Sequence, residues 1–190
     1  MAFVVLYDAC VLYPAPLRDL LIRLANTGIV RARWSAAILD ECFRSILKQR
    51  PELKPESLQR TRELMTRAVP DCMVTGFEGL IDGLALPDPD DRHVLAAAIR
   101  TGAQAIVTFN LNDFPAERLQ QYNIEAKHPD DFVIDVIDLS LGTVATVIAE
   151  QAAALRTPPR STAELLDTLR AQGLVRSVAK LRESLTVGDL

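Results

Sequence analysis

The sequence predicts an α/β fold built around a central parallel sheet. Short apolar runs with β propensity alternate with helical patterns through most of the 190-residue chain, and this alternation is the signature of that fold class. From about Pro129 onward the strand signals stop, and every segment carries helical periodicity. We therefore predict a parallel-sheet domain over residues 1–139 and a helical C-terminal extension over residues 140–190.

The predicted strands are short and bounded by turn or helix signals. In chain order they are FVVLYD (Phe3 to Asp8), IVRAR, a run near Cys72 to Val74, AQAIVTF and IEA. The helices between them begin and end at capping residues, glycines or prolines. They are PAPLRDLLIRLANTG ending near Gly28, a helix capped by Ser35 and stopped by Pro51, roughly Glu56 to Ala68, a helix from DPDD to Gly102, and FPAERLQQYN.

The C-terminal extension is predicted to contain several helices. Ser161 and Glu164 have the spacing of a capping box, and Gly173 separates two helical stretches. The segment RTPPRS, from Arg156 to Ser161, is the best linker candidate.

Composition narrows the class of protein. Hydrophobic residues make up 49% of the chain and charged residues 24%, as in ordinary globular domains. The net charge of −4 argues against a general electrostatic nucleic-acid binder. It leaves room for an enzyme that contacts nucleic acid through a bound cation and a local basic patch.

We expect a cytoplasmic protein that does not contact a membrane. No apolar run approaches the roughly 18 residues needed to span a bilayer. The start, MAFVVLYDAC, lacks the basic region of a signal peptide and meets an acid at Asp8. The chain has three cysteines, Cys10, Cys42 and Cys72. An odd number of cysteines that lack the spacing of metal ligands is typical of reduced thiols.

Four acidic positions, far apart in sequence, are predicted to converge at one end of the sheet. Asp8 closes the first strand, and Asn110 with Asp113 follows the strand AIVTF. Asp91 lies in the first turn of the helix that leads into that strand, and Glu41 lies two turns into an earlier helix. Ligands of parallel α/β sheets bind beyond the carboxyl ends of the strands, where these residues are expected.

Structural roles compete with the functional one at several of these positions. In DPDD, Asp88 is a helix cap, Asp90 is first-turn charge or outer support, and Asp91 is the preferred ligand. Asp40 is a rival of Glu41, and Asp113 could equally cap the following helix. His93 is expected to point elsewhere on its helix, as a surface or core-edge residue without a catalytic role, and Cys10 is expected to be a small packed thiol.

The ligand types predict a hard divalent cation. Two like charges about 4 Å apart repel by roughly 4 kcal/mol at an effective dielectric near 20, so a carboxylate cluster raises pKa values or recruits a cation. Oxygen ligands without histidine or cysteine favour Mg²⁺ or Mn²⁺ over zinc. A Mg²⁺ or Mn²⁺ site with oxygen ligands is typical of enzymes that act on phosphate esters.

These motifs, in this order, resemble the PIN domain family. They are YDA after the first strand, ILDE inside the helix that starts near Ser35, DPDDRHVLAAAI and AIVTFNLNDF, and the resemblance covers roughly Ala2 to Phe132. It implies a three-layer fold with helices flanking the parallel sheet, and a metal-dependent ribonuclease that hydrolyses RNA phosphodiester bonds. Many relatives are VapC-type toxins of type II toxin–antitoxin systems, which implies an antitoxin partner and allows a homodimer.

The resemblance also implies roles for individual residues. Asp8, Glu41 and Asp91 match the family's first three acids, and Thr108 matches a hydroxyl residue that orients the cluster. Asn110 falls where relatives usually have an aspartate, and Asp113 is the candidate to supply the missing charge. The catalytic candidates are therefore Asp8, Glu41, Asp91 and Asp113, and the metal ligands are Asp8, Asp91, Asn110 and Asp113.

A locally basic stretch follows the second acid. Arg44, Lys48 and Arg50 are the candidates for contacts with RNA phosphates, although a solvated helical surface explains such a run equally simply. Two other functions stay open: a PIN-like scaffold that binds RNA or a partner without cutting, and a receiver-like phosphoacceptor domain. The receiver is disfavoured because a receiver has several acids at the end of its first strand and a lysine after a later strand, whereas LYDAC has one acid and no such lysine is found.

Overall fold

The computed structural model describes residues 3–187 and contains one five-stranded sheet within that range. All neighbouring strands pair in parallel, in the order β3-β2-β1-β4-β5. The strands are β1 (Phe3–Tyr7), β2 (Val30–Ser35), β3 (Met73–Val74), β4 (Ala105–Val107) and β5 (Glu125–Lys127). The predicted α/β class with a central parallel sheet is confirmed.

Helices connect the strands and form the C-terminal region. Those between strands are α1 (Ala9–Leu12), α2 (Ala15–Asn26), α3 (Ala36–Gln49), α4 (Pro55–Ala68), α5 (Arg92–Thr101) and α6 (Ala116–Leu119). Those after the sheet are α7 (Pro129–Ala154), α8 (Thr162–Ala171) and α9 (Val175–Val187). Short 3₁₀ turns at Glu78–Gly83, Pro89–Asp91, Leu111–Asp113 and Gln120–Tyr122 complete the connections.

The strand order creates a switch point between β1 and β4. The chain proceeds outward from β1 through β2 to β3, and then returns across the sheet to β4 and β5. Because parallel crossovers are right-handed, this reversal puts helices on both faces of the sheet. The crevice at the carboxyl ends of β1 and β4 is therefore the expected ligand position.

Aromatic rings anchor the core beneath this crevice. The Tyr7 ring is stacked with that of Trp34 at 6.3 Å between centroids, and it meets Phe132 edge-on at 5.9 Å. All three side chains are fully buried, so they join β1, β2 and α7 in one apolar core. The core fixes the strand ends from which the polar residues project.

The C-terminal helices are tied to this core by a buried carboxylate. Asp130 Oδ2 accepts from the Arg176 backbone N–H and Oδ1 from that of Ser177, both at 2.8 Å. The Ser177 hydroxyl donates to the Asp130 carbonyl oxygen at 2.9 Å. Asp130 thus satisfies the free N–H groups at the start of α9 from the start of α7.

Helix α7 departs from one expectation drawn from the sequence. It has 26 residues and is long and apolar enough, by length and composition, to cross a membrane. No stretch of this kind was expected from the sequence, and that expectation was wrong. Ser140 within the helix has non-helical backbone angles, and 39% of the most apolar 18-residue stretch is buried in the protein.

Helix starts agree with the sequence signals, with one difference at DPDD. Ser35 accepts from the Ile38 N–H, and the capping box of Ser161 and Glu164 is complete. Asp88 caps as predicted, but it opens a 3₁₀ turn, and α5 begins only at Arg92. The tighter turn follows from the hydrogen bond that the Asp90 N–H donates to the Asp88 side chain, because this bond spans only two residues.

Candidate active site

The carboxylate of Asp8 is held under the crevice by three donors. Oδ1 accepts from the Ala9 N–H at 2.6 Å, while Oδ2 accepts from the Thr108 hydroxyl at 2.7 Å and the Cys10 thiol at 3.1 Å. Asp8 follows β1 directly and its own N–H donates to the Val107 carbonyl, so both sheet and α1 fix it. Its residual exposure is 3%.

Burial raises the pKa of Asp8 despite these bonds. The bonds from Thr108, Cys10 and Ala9 lower the pKa, the negative charge of Glu41 raises it, and the net shift is upward. A carboxylate that is desolvated yet held in one orientation is set up to meet a positive charge. An Asx turn that only closes strand β1 would not account for the hydrogen bonds of Asp8 with Thr108 and Cys10.

Cys10 is part of this network, which the sequence analysis missed. Its sulfur also accepts from the Phe109 N–H at 3.2 Å and lies 3.3 Å from the Thr108 hydroxyl oxygen. Burial and the charge of Asp8 raise the pKa of the thiol to about 12, so it stays protonated and donates. The expectation of a merely packed thiol was wrong, because α1 starts at once and turns residue 10 back toward residue 8.

The loop after β4 supplies two further polar residues. The Asn110 N–H donates to the Thr108 hydroxyl oxygen at 2.9 Å, and the Asp113 N–H donates to the Asn110 carbonyl at 3.1 Å. Thr108 therefore links Asp8 to this loop. Asp113 does not cap α6, whose N-cap is Pro115, so the competing structural role is excluded.

Asp91 is a half-buried carboxylate of the site whose pKa is raised. Partial burial, followed by the negative charges of Asp8, Asp113, Asp88 and Glu41, raises its pKa from 3.8 to about 7. These four carboxylates therefore lie within electrostatic reach of it. The sequence favours Asp91 over Asp90 as the ligand, and in the structure Asp91 is half-buried whereas Asp90 is exposed.

Helix α3 and His93 form the opposite wall. Glu41 Oε2 lies 3.5 Å from His93 Nε2, whereas Asp40 pairs with Arg62. The two acids are thereby distinguished, since only Glu41 acts on the pKa values of Asp8 and Asp91. His93 was expected to point elsewhere on its helix; instead it lines the cleft, because α5 starts only at Arg92.

Together these residues surround an open cleft of about 590 Å³. Asp8 lies below its surface and is not among the residues that line it. Between residues 3 and 187, no three Asp, Glu, His or Cys side chains are arranged as a closed metal-ligand set. The lining residues are Ala37, Asp40, Glu41, Arg44, Asp88, Asp90, Asp91, His93, Asn110 and Asp113.

The three basic candidates differ in position. Arg44 lines the cleft, Lys48 is exposed one turn further along α3, and Arg50 pairs with Glu52 at 2.7 Å. Of these three, only Arg44 and Lys48 have no ion-pair partner among residues 3–187. Arg44 is therefore best placed to meet an anion beside the acids.

Comparison with known proteins identifies the family of this chain. The family model described as PIN domain matches residues 4–112, more than half of the chain, from within β1 to Asn112 in the loop after β4. The chain belongs to the PIN domain family. The parallel sheet with helices on both faces is thus the fold of a PIN domain.

A second match covers the C-terminal helices. The family model described as VapC50 C-terminal domain matches residues 129–183, from α7 into α9. The Mycobacterium tuberculosis (strain ATCC 25618 / H37Rv) protein named "Putative ribonuclease VapC50" is 48% identical over 82 residues. That alignment covers 43% of this chain and 48% of the relative, so the match spans about half of the relative's length. No solved structure matches the chain closely.

Proposed function

We propose that this PIN domain protein is a Mg²⁺- or Mn²⁺-dependent endoribonuclease and the toxin of a type II toxin–antitoxin pair. The observation that carries the proposal is the convergence of Asp8, Glu41, Asp91 and Asp113 at the switch point, where partial burial and then the neighbouring charges raise the pKa of Asp91 to about 7. Such crowding is unfavourable unless a cation or a proton offsets it.

The donor set fits a hard divalent cation. Asp8, Asp91, Asn110 and Asp113 offer oxygen atoms, and Asp8 is already oriented by Thr108. When bound there, Mg²⁺ or Mn²⁺ would polarise a phosphodiester and neutralise the charge that develops in its hydrolysis. Because Asn110 is neutral, we propose one well-occupied site held chiefly by Asp8 and Asp91.

The remaining residues have separate roles in this proposal. Glu41 faces the cleft next to His93 and takes the proton from the attacking water, as a carboxylate within reach of the reacting group does. Arg44 and Lys48 contact phosphates on either side of the scissile bond. Arg50 contributes less, because Glu52 already neutralises it.

We also propose that an antitoxin holds the protein inactive in the cytoplasm. The support is the similarity of both halves of the chain to PIN and VapC50 domains. A homodimer and the absence of membrane contact remain expectations from the sequence.

We also propose that the two domains divide between residues 139 and 140. The non-helical backbone of Ser140 supports this division. A fragment of residues 1–139 that shows no cooperative unfolding would contradict it.

The decisive experiment measures cleavage of a generic RNA with Mg²⁺ or Mn²⁺. Wild-type protein should cut, Asp8→Asn should not, and Asp82→Asn, an exposed acid outside the cleft, should cut like wild type. The neutral Asn110 favours one other function, a PIN scaffold that binds RNA without cutting. Cation-independent RNA binding without cleavage would identify that scaffold and refute the nuclease.

A further inference from the structure

A second pocket opens next to the acidic cleft, between α1 and α3. It encloses about 220 Å³, and Glu41 lines both the pocket and the cleft. A nucleotide whose phosphate lies against the acids would therefore have this pocket beside it. The pocket is lined by Ala9, Cys10, Tyr13, Glu41, Cys42, Ser45 and Gln49.

The far wall of the pocket is a fixed pair of polar side chains. The Tyr13 hydroxyl donates to Gln49 Oε1 at 2.8 Å. This bond occupies the amide oxygen and leaves the amide N–H₂ group of Gln49 as a donor. Within the part of the chain that the structure describes, that nitrogen and the Ser45 hydroxyl have no hydrogen-bond partner.

The pocket also has an aromatic and apolar character. Tyr13 is half-buried, and its ring makes none of the ring contacts found among residues 3–187. The buried Cys42 and Ala9 form part of the lining. A flat group with a polar edge fits such a pocket, and nucleobases are recognised by stacking on aromatic rings and by hydrogen bonds to their edges.

We propose that this pocket binds the nucleobase next to the scissile phosphate, and that Gln49 selects bases with a carbonyl oxygen at purine position 6 or pyrimidine position 4. The inference rests on the proposed ribonuclease function and adds a specificity-determining residue to it. Guanine O6 and uracil O4 are acceptors for the Gln49 N–H₂ group, whereas adenine N6 and cytosine N4 are amino donors.

Gln49→Glu reverses this chemistry with little change of shape. The carboxylate still accepts from Tyr13, but it presents a second acceptor in place of a donor. We expect wild type to favour guanine and uracil over adenine and cytosine at one position by roughly three- to tenfold, the discrimination given by one hydrogen bond. Gln49→Glu should favour adenine and cytosine, and Gln49→Leu should abolish the preference.

The test uses the full-length protein and a pool of RNA hairpins with randomised single-stranded loops. Cleavage sites are sequenced after incubation with Mn²⁺ for wild type, both Gln49 variants and Gln120→Glu. Gln120 is exposed and lines neither the cleft nor the pocket, so its variant controls for the added charge. Base preferences that are identical in Gln49→Glu and Gln120→Glu, or a uniform change at all four bases, would overturn the proposal.

A separate measurement distinguishes this inference from the proposed nuclease function. If wild type cuts no RNA in the pool, the nuclease proposal fails, but the pocket is still tested by NMR titration with nucleoside 5′-monophosphates. GMP and UMP should then bind more tightly than AMP and CMP, with the order reversed in Gln49→Glu. Equal binding of all four nucleotides by wild type would overturn the pocket assignment.

Discussion

The raised pKa of Asp91 predicts how the stability of the cation-free protein changes with pH. Between 3.8 and about 7 the folded protein keeps a proton on Asp91 that the unfolded chain has released. The folded state therefore binds more protons in this window, and the free energy of unfolding falls as pH rises through it. Below about pH 4 the contribution of protonated Asp91 is fully present; above about pH 7 it is lost.

The size of the effect follows from the shift and the exposure. A rise of about 3 pKa units corresponds to roughly 4 kcal/mol, and we reduce this to about 2 kcal/mol because Asp91 is only half-buried and water screens its neighbours. Asp91→Asn removes the ionisable group. The variant should match wild type near pH 4 and exceed its free energy of unfolding by about 2 kcal/mol at pH 8.

The assay is urea unfolding with a chelator, at intervals from pH 4 to pH 8. Asp82→Asn is the matched control, because it makes the same chemical change at an exposed position outside the cleft. Parallel stability curves for wild type and Asp91→Asn would refute the carboxylate crowding. Saturating Mn²⁺ should raise the melting temperature of wild type and Asp82→Asn by mass action, and it should do little to Asp91→Asn.

Three further substitutions test the contacts of the cleft and of the C-terminal helices. Thr108→Val keeps the side-chain shape but removes one of the three donors to Asp8 and leaves the Asn110 N–H without its partner. A loss of about 1–3 kcal/mol in unfolding free energy is expected, with reduced RNA cleavage. Asp113→Ala should weaken Mn²⁺ binding in calorimetric titrations, and unchanged binding would exclude it as a ligand. Asp130→Asn should cost about 1–3 kcal/mol because the buried oxygens satisfy two backbone N–H groups, whereas exposed Asp131→Asn should cost less than about 1 kcal/mol.

The sequence predicted strands, helix starts and acid positions because each has a local physical cause. Strand runs, the Ser35 cap and the acid at the end of β1 are all visible within a few residues. The contacts of Cys10 could not be predicted, because they join residues 10 and 108 through the pairing of β1 with β4. His93 was misplaced for a related reason: a 3₁₀ turn in place of the first α turn rotates every later residue about the helix axis.

Two kinds of support hold the acids of this site. Asp8 is fixed by the sheet and by Thr108, whereas Asp91, Asn110 and Asp113 belong to or adjoin short 3₁₀ turns. Among the residues that the structure describes, the side chains of these three residues have no hydrogen-bond partner, unlike that of Asp8. The net charge at this end of the sheet therefore depends mainly on which residues lie in or next to these two 3₁₀ turns.

Asn110 limits the charge that the cation-free protein must accommodate. A carboxylate at this position would add one more negative charge beside Asp91, which should lower the stability at pH 8 by about 1 kcal/mol in a half-exposed cluster. The same charge should tighten Mn²⁺ binding, because a carboxylate is a stronger ligand for a hard cation than an amide oxygen. Asn110→Asp is thus expected to be less stable than wild type with a chelator and more strongly stabilised by Mn²⁺. Asn112→Asp, in the same turn but outside the cleft lining, is the matched control in unfolding and calorimetric titrations. If both variants change Mn²⁺ affinity equally, residue 110 does not face the cation.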